Sequence, residues 1–233
     1  MARRSTAKSK LIKIVAGSIV ISGFVVFIVG PGIIIEKIGP NRHLFELVMQ
    51  ERGSNSSERA LALEELSKSS STSVPYLISL LNNFDWYIRC KATRTLGELG
   101  EPAKGSIPKL ILLLNDSDMS VRYASIDALG KMGKYDASVI PPLIHSLSSS
   151  NTRLQSVRAL GEMNESAKVA VPSLRLMLQD FELPVRRAAI EALGKIGEPA
   201  EVAIPDLIPF LNAPEPAVQE EAVEALRKLK YKP

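Results

Sequence analysis

The chain has 233 residues, 45% of them hydrophobic, and a net charge of +4. That hydrophobic content excludes a disordered chain, and the length allows one or two domains. The charge does not mark a nucleic-acid binder: residues 1–13 carry five basic side chains and no acid, whereas residues 54–233 carry 21 basic and 22 acidic ones, so the body of the chain lacks the basic face such binding needs.

The first element follows the basic segment 1–13 (Arg3, Arg4, Lys8, Lys10, Lys13). Ile14 to Ile35 contains no charged residue, and its length suits a membrane-spanning helix, which needs about 20 apolar residues. The run is longer than a signal-peptide core and no A-x-A-like cleavage site follows, so it reads as an uncleaved single-pass anchor. Five basic residues precede the run, and Lys37, Arg42 and Arg52 follow it. The positive-inside bias then places the N-terminus in the cytoplasm and the rest of the chain across the membrane. Residues 36–56 form a stalk with a short helix over Arg42–Gln50, capped by Asn41.

From residue 57 to 233 the chain repeats itself. A leucine closing a first helix falls at Leu66, Leu96, Leu129, Leu160, Leu193 and Leu226, in steps of 30, 33, 31, 33 and 33. A proline opening a second helix falls at Pro75, Pro108, Pro141, Pro172 and Pro205, in the first turn, where no backbone donor is lost. Five helix pairs follow: Glu58–Leu81, Asp85–Asn115, Asp118–Leu147, Thr152–Leu178 and Glu182–Leu211. A last helix, Pro216–Lys230, matches half a unit and suits a terminal cap. Both length changes fall in loops, Ser67–Ser73 and Ser148–Thr152, where they cost little.

Positions within the unit recur for physical reasons. Ala62, Ala92, Ser125, Ser156, Ala189 and Ala222 are small, as close helix approach requires. Thr93, Ile126, Val157, Ile190 and Val223 are expected in the core. Gly100, Gly133, Asn164 and Gly197 end the first helices with residues that accept a left-handed cap. Leu110/Leu114, Leu143/Leu147, Leu174/Leu178 and Leu207/Leu211 share one helix face and are core. An arginine recurs at Arg59, Arg89, Arg122, Arg153 and Arg186, with Gln219 in the last unit. An acid lies four residues earlier at Asp85, Asp118, Glu182 and Glu215. We expect a ladder of ion pairs and hydrogen bonds between repeats rather than an anion-binding stripe, because the acids recur with the arginines.

The pattern D-x-x-V-R-x-x-A-x-x-A-L-G-x-x-G followed by P-x-L-x-x-x-L, fullest in Asp118–Gly133 and Val185–Gly197, resembles the HEAT-repeat family. It is most similar to the short-repeat branch that includes the phycobilisome bilin lyases. The resemblance implies an all-α, right-handed α-solenoid of about five helix pairs with a capping helix, here preceded by a transmembrane helix. It also implies that the second helices line a concave, protein-binding face. Positions one and four after each proline should point outward there: Tyr76, Lys109, Pro142, Ser173 and Asp206, then Ser79, Leu112, His145, Leu176 and Pro209. Leu112 and Leu176 are apolar where solvent is expected, which suggests a partner surface unless they are isolated surface leucines. Trp86, the single tryptophan, is an edge anchor or a core residue.

Candidate chemistry is sparse. The only histidines, His43 and His145, lie far apart in the chain, at no metal-ligand spacing, and no His-Glu dipeptide of the iron-binding HEAT-like hydroxylases occurs. There is no phosphate loop or Gly-x-Ser-x-Gly. Cys90 sits in an apolar pattern and reads as core. The expectation is a non-catalytic, membrane-tethered scaffold holding a protein or peptide partner, with no metal, cofactor or nucleic acid. The alternatives are a bilin lyase-like enzyme or chaperone and an architectural subunit of a membrane complex.

Overall fold

The computed structural model describes residues 13–15, 18–21, 24–29, 32–37, 45–46, 48, 62, 64–66, 68 and 71–231. The chain divides into two compact units, Met1–Thr72 and Ser73–Pro233, so the division falls inside the first helix pair expected from the sequence.

In the first unit the expected spanning helix over 14–35 is not formed. Its place is taken by strands β1 (Lys13–Val15), β2 (Ser18–Ile21), β3 (Phe24–Val29) and β4 (Gly32–Lys37). They pair antiparallel in the order β1-β2-β3-β4, with Ile19 opposite Val26 and Phe27 opposite Ile34. The physical reason is legible in hindsight. Ile and Val are β-branched and stiff at χ1, which favours strands. The strands are separated by Ala16-Gly17, Ser22-Gly23 and Gly30-Pro31, dipeptides that punctuate chains. No helix among the described residues is long and apolar enough to cross a membrane. Phe45, Glu46 and Val48 are helical, as are Ala62, Glu64–Leu66 and Lys68. The remainder of the stalk helix and of the helix from Glu58, with Arg59 and His43, lies outside the described residues.

The second unit is all helical. The first helices of each pair are α2 (Trp86–Leu99), α4 (Met119–Met132), α6 (Ser150–Glu162), α8 (Leu183–Ile196) and α10 (Pro216–Lys228). The second helices are α1 (Val74–Leu80), α3 (Ile107–Leu113), α5 (Ile140–Ser146), α7 (Val171–Met177) and α9 (Ile204–Leu207). All the second helices carry their proline in the first turn. First helices pack in sequence, α2 on α4 on α6 on α8 on α10, and each of α1, α3, α5 and α7 packs against the first helix that follows it. The result is two layers repeating along one direction.

Leu77, Leu110, Leu143, Leu174 and Leu207, two residues after each proline, are fully buried. Leu114, Leu147 and Leu178 are buried with them, but Leu211 is only half-buried. The cause is Pro209: it lacks an N–H and cannot continue an α-helix, so α9 stops at Leu207 and a 3₁₀ turn, Ile208–Asn212, replaces its end. Val223 also departs from expectation, being 56% exposed while Thr93, Ile126, Val157 and Ile190 are fully buried.

Neighbouring repeats bring backbone close to backbone at the glycine after the closing leucine. A Cβ on Gly97 would lie 2.8 Å from the Ala128 Cβ, one on Gly161 2.8 Å from that of Ala192, and one on Gly194 2.9 Å from that of Ala225. The A-L-G triplet is therefore a lock: the alanine of one repeat seats on the glycine of the repeat before it. In α10 the glycine position is held by Arg227, which is exposed and paired with Glu224 at 2.8 Å, so α10 offers no such seat.

Gly100 (φ 65°), Gly197 (φ 75°) and Asn164 (φ 50°) adopt left-handed caps, but Gly133 does not (φ −60°). There the Met132 carbonyl is satisfied by the N–H groups of Tyr135 and Asp136 instead, and the left-handed turn is not needed.

Candidate functional site

Helices α3, α5 and α7 bury their leucine pairs, leaving position one after the proline half-buried and position four exposed. Tyr76, Lys109 and Asp206 occupy position one and are half-buried. Leu112, His145 and Leu176 occupy position four on α3, α5 and α7. All three are exposed, the two leucines by 72% and 71%. Burying either leucine against a partner would contribute about 1.5–3 kcal/mol. Their register is now fixed, because the flanking Leu110 and Leu174 are buried.

The row also carries charge. Arg175 Nε donates to Asp206 Oδ2 at 2.5 Å, linking α7 to α9 beside Leu176. Both side chains are more than one-third exposed, so the pair sets local polarity more than stability. The surface is thus apolar spots in a polar surround.

Trp86 opens α2 and is 46% exposed, its ring edge-on to Tyr87 at 6.1 Å. It lies on an edge with Phe84, Met119 and Phe181, which are 64%, 41% and 77% exposed. These three were not singled out from sequence, although Phe84 and Phe181 each stand one residue before an N-cap position.

The arginine ladder exists with different partners from those expected. Asp85 and Asp118 are helix N-caps, accepting from the N–H of Tyr87 at 3.0 Å and of Ser120 at 2.8 Å. The carboxylates that meet arginine are Asp116 and Asp180, eight residues after a second-helix proline. Arg89 grips Asp116 with Nε at 2.8 Å and Nη2 at 2.7 Å, and its Nη1 donates to the carbonyls of Asn83 and Phe84. Arg153 Nη1 meets Asp180 at 2.7 Å. Among the described residues Arg122 and Arg186 make only the backbone bonds, to Asp116 and Ser117 and to Asp180 and Phe181. Burial is the largest influence on the Asp116 carboxyl and pushes its pKa up. It is outweighed by the hydrogen bonds from Arg89 and the Asp118 backbone, which hold the group below the usual carboxylate range. The same hydrogen bond raises Arg89. Cys90 is buried, which pushes its thiol up, and packs with Val121, Ala124 and Leu113.

Two adjoining depressions of about 180 and 300 Å³ lie on the first-helix layer and share Arg158, Ala188 and Glu191. They sit at or below the lower end of small-molecule sites. Among the described residues no cluster of His, Cys, Asp and Glu could hold a metal ion.

Paired helices locked repeat to repeat define the class: an α-solenoid repeat protein. The HEAT-repeat model matches residues 74–151, 107–182 and 140–227, more than half of the chain, and the chain belongs to that family. No curated protein matches it in sequence. Among solved structures it is similar to a designed armadillo repeat protein in complex with the peptide (KR)4, at 17% identity and a TM-score of 0.61, covering 82% of this chain and 100% of the other. It is similar to an engineered protein at 20% identity and 0.60, covering 83% and 99%. It is also similar to the CpcE–CpcF complex of phycocyanin lyase from Nostoc sp. PCC7120, at 24% identity and 0.55, covering 83% and 79%.

Proposed function

We propose that the chain is a non-catalytic scaffold whose second-helix row holds a protein or peptide segment. The observation that carries this is Leu112 and Leu176 standing 72% and 71% exposed at one repeat position, with His145 between them. The fold's likeness to a designed armadillo protein that holds a peptide supports the reading. Leu112→Asp with Leu176→Asp should abolish partner capture in cross-linked pull-downs while leaving the melting temperature within about 2 °C, since surface changes of this kind are usually within about 0.5 kcal/mol. Undiminished capture by the double variant would remove the row from the account.

The run from Ile14 to Ile35 forms strands rather than a spanning helix; its uncharged, apolar composition still supports attachment of the repeats to a membrane, where confinement raises effective concentration without new contacts. The five-to-three excess of basic residues before the run supports a cytoplasmic N-terminus with the repeats on the opposite side. The full chain should stay with the membrane pellet in alkaline carbonate, and protease added outside sealed spheroplasts should digest the repeats. Release by salt alone, or full protection, would contradict these points.

A second reading, a bilin lyase-like activity, is favoured by the likeness to the CpcE–CpcF complex. Visible absorbance retained on the chain or passed to an acceptor after co-expression with a bilin is its test.

A further inference from the structure

The four described arginines of the ladder, Arg89, Arg122, Arg153 and Arg186, are one motif in two states. All four anchor their guanidinium on backbone carbonyls at the end of the preceding second helix. Arg89 and Arg122 donate Nη1 to equivalent carbonyl pairs, as does Arg186. The guanidinium is planar and rigid, so fixing Nη1 fixes the rest. In Arg89 the remaining Nε–Nη2 edge takes a carboxylate side-on, both bonds being under 3 Å. In Arg122 and Arg186 that edge holds no carboxylate among the described residues.

The sequence explains the difference. The residue eight after each second-helix proline is Asn83, Asp116, Ser149, Asp180 or Ala213. An acid follows the repeats of Arg89 and Arg153. Ser149 follows Arg122 and Ala213 follows Arg186, and neither has a charge to give. Both arginines are only half-buried. Apolar side chains border both: Met119, 41% exposed, opens the helix of Arg122, and Phe181, 77% exposed, supplies a carbonyl to Arg186.

We propose that Arg122 and Arg186 are two vacant carboxylate sockets, and that their edge of the repeat stack binds an extended, acidic and apolar protein segment. Arg89 with Asp116 is the internal example of the occupied state. The two sockets lie on α4 and α8, two helix steps apart. With about 8–10 Å between packed helices the span is about 20 Å, and at about 3.3 Å per residue the segment places its two carboxylates about six residues apart.

The test is calorimetric titration of the full chain, in detergent, with a capped nonapeptide carrying aspartates at positions two and eight and valine and phenylalanine between them. A matched peptide with asparagines is the control. Gln219 occupies the arginine position in α10 and still donates to the Ala213 carbonyl at 2.7 Å, so Arg122→Gln and Arg186→Gln keep the backbone anchor and remove the fork. Charge-assisted bidentate bonds are the strong ones, so each variant should bind the diacid peptide about tenfold more weakly. Ala213→Asp should close the Arg186 socket from within and weaken binding as much. Arg158→Gln, which removes an exposed first-helix arginine outside the ladder, should bind it like the wild type. Equal binding of the two peptides by the wild type, or of the diacid peptide by the glutamine variants and the wild type, would overturn the sockets.

Discussion

Ser156 and Thr93 are fully buried, and neither hydroxyl has a hydrogen-bond partner among the described residues. Ser125, at the same repeat position as Ser156, donates to the Leu110 carbonyl. A buried polar group left unpaired costs about 1–3 kcal/mol. Ser156→Ala should therefore raise unfolding free energy by about 1 kcal/mol in urea titration, whereas Ser125→Ala should lower it. Asp116 gives the pH prediction. Its side chain and that of Arg89 are 7% and 11% exposed, and its folded pKa is depressed. A depressed carboxylate stabilises the fold above its unfolded pKa, about 3.9, and that share is lost as pH falls through the folded value. Asp116→Asn should cost about 2–3 kcal/mol at neutral pH, and the gap to wild type should shrink below pH 4. The recurrence of arginine was legible in the sequence; its partner was not. Acids four residues before Arg89, Arg122 and Arg186 suggested ion pairs within and between repeats, but Asp85 and Asp118 are drawn to first-turn N–H groups, and the acid 27 residues later meets the guanidinium of Arg89 and of Arg153.

At the scale of elements, the A-L-G seat makes a sharp prediction. Gly161→Ala would place its Cβ 2.8 Å from that of Ala192 and 2.9 Å from its Cα. The alanine gains about 1 kcal/mol of helix propensity but overpacks an interface whose backbone cannot yield. The net should be a loss of about 1–3 kcal/mol, partly restored by adding Ala192→Gly, as a double-mutant cycle in urea would read. Helix positions, prolines and leucine faces were legible because each is imposed by a local rule repeated five times. The close contact was placed five residues early, at Ala92 and its equivalents, because smallness in a sequence does not say which neighbour it faces. The stretch from Ile14 to Ile35 went wrong for a different reason. An uninterrupted apolar run satisfies a helix and a set of short strands equally, and only its β-branched content and regular glycines favoured strands.

Over the whole molecule, stability and binding follow from repetition. Each repeat touches its neighbours, so the stack presents the same outward position once per repeat and turns five weak surface choices into one row. The fold was legible because the period was. The outward register was legible too, since the buried leucines fix it; its use was not, since an exposed leucine becomes a site only with a partner on it. The most direct measurement places a photo-crosslinking residue singly at positions 112, 145 and 176 on the second helices and at positions 94, 131 and 158 on the first helices of the full-length chain. The account predicts that the same partner is captured from the first set and not from the second. Capture from positions 94, 131 and 158 alone would contradict it.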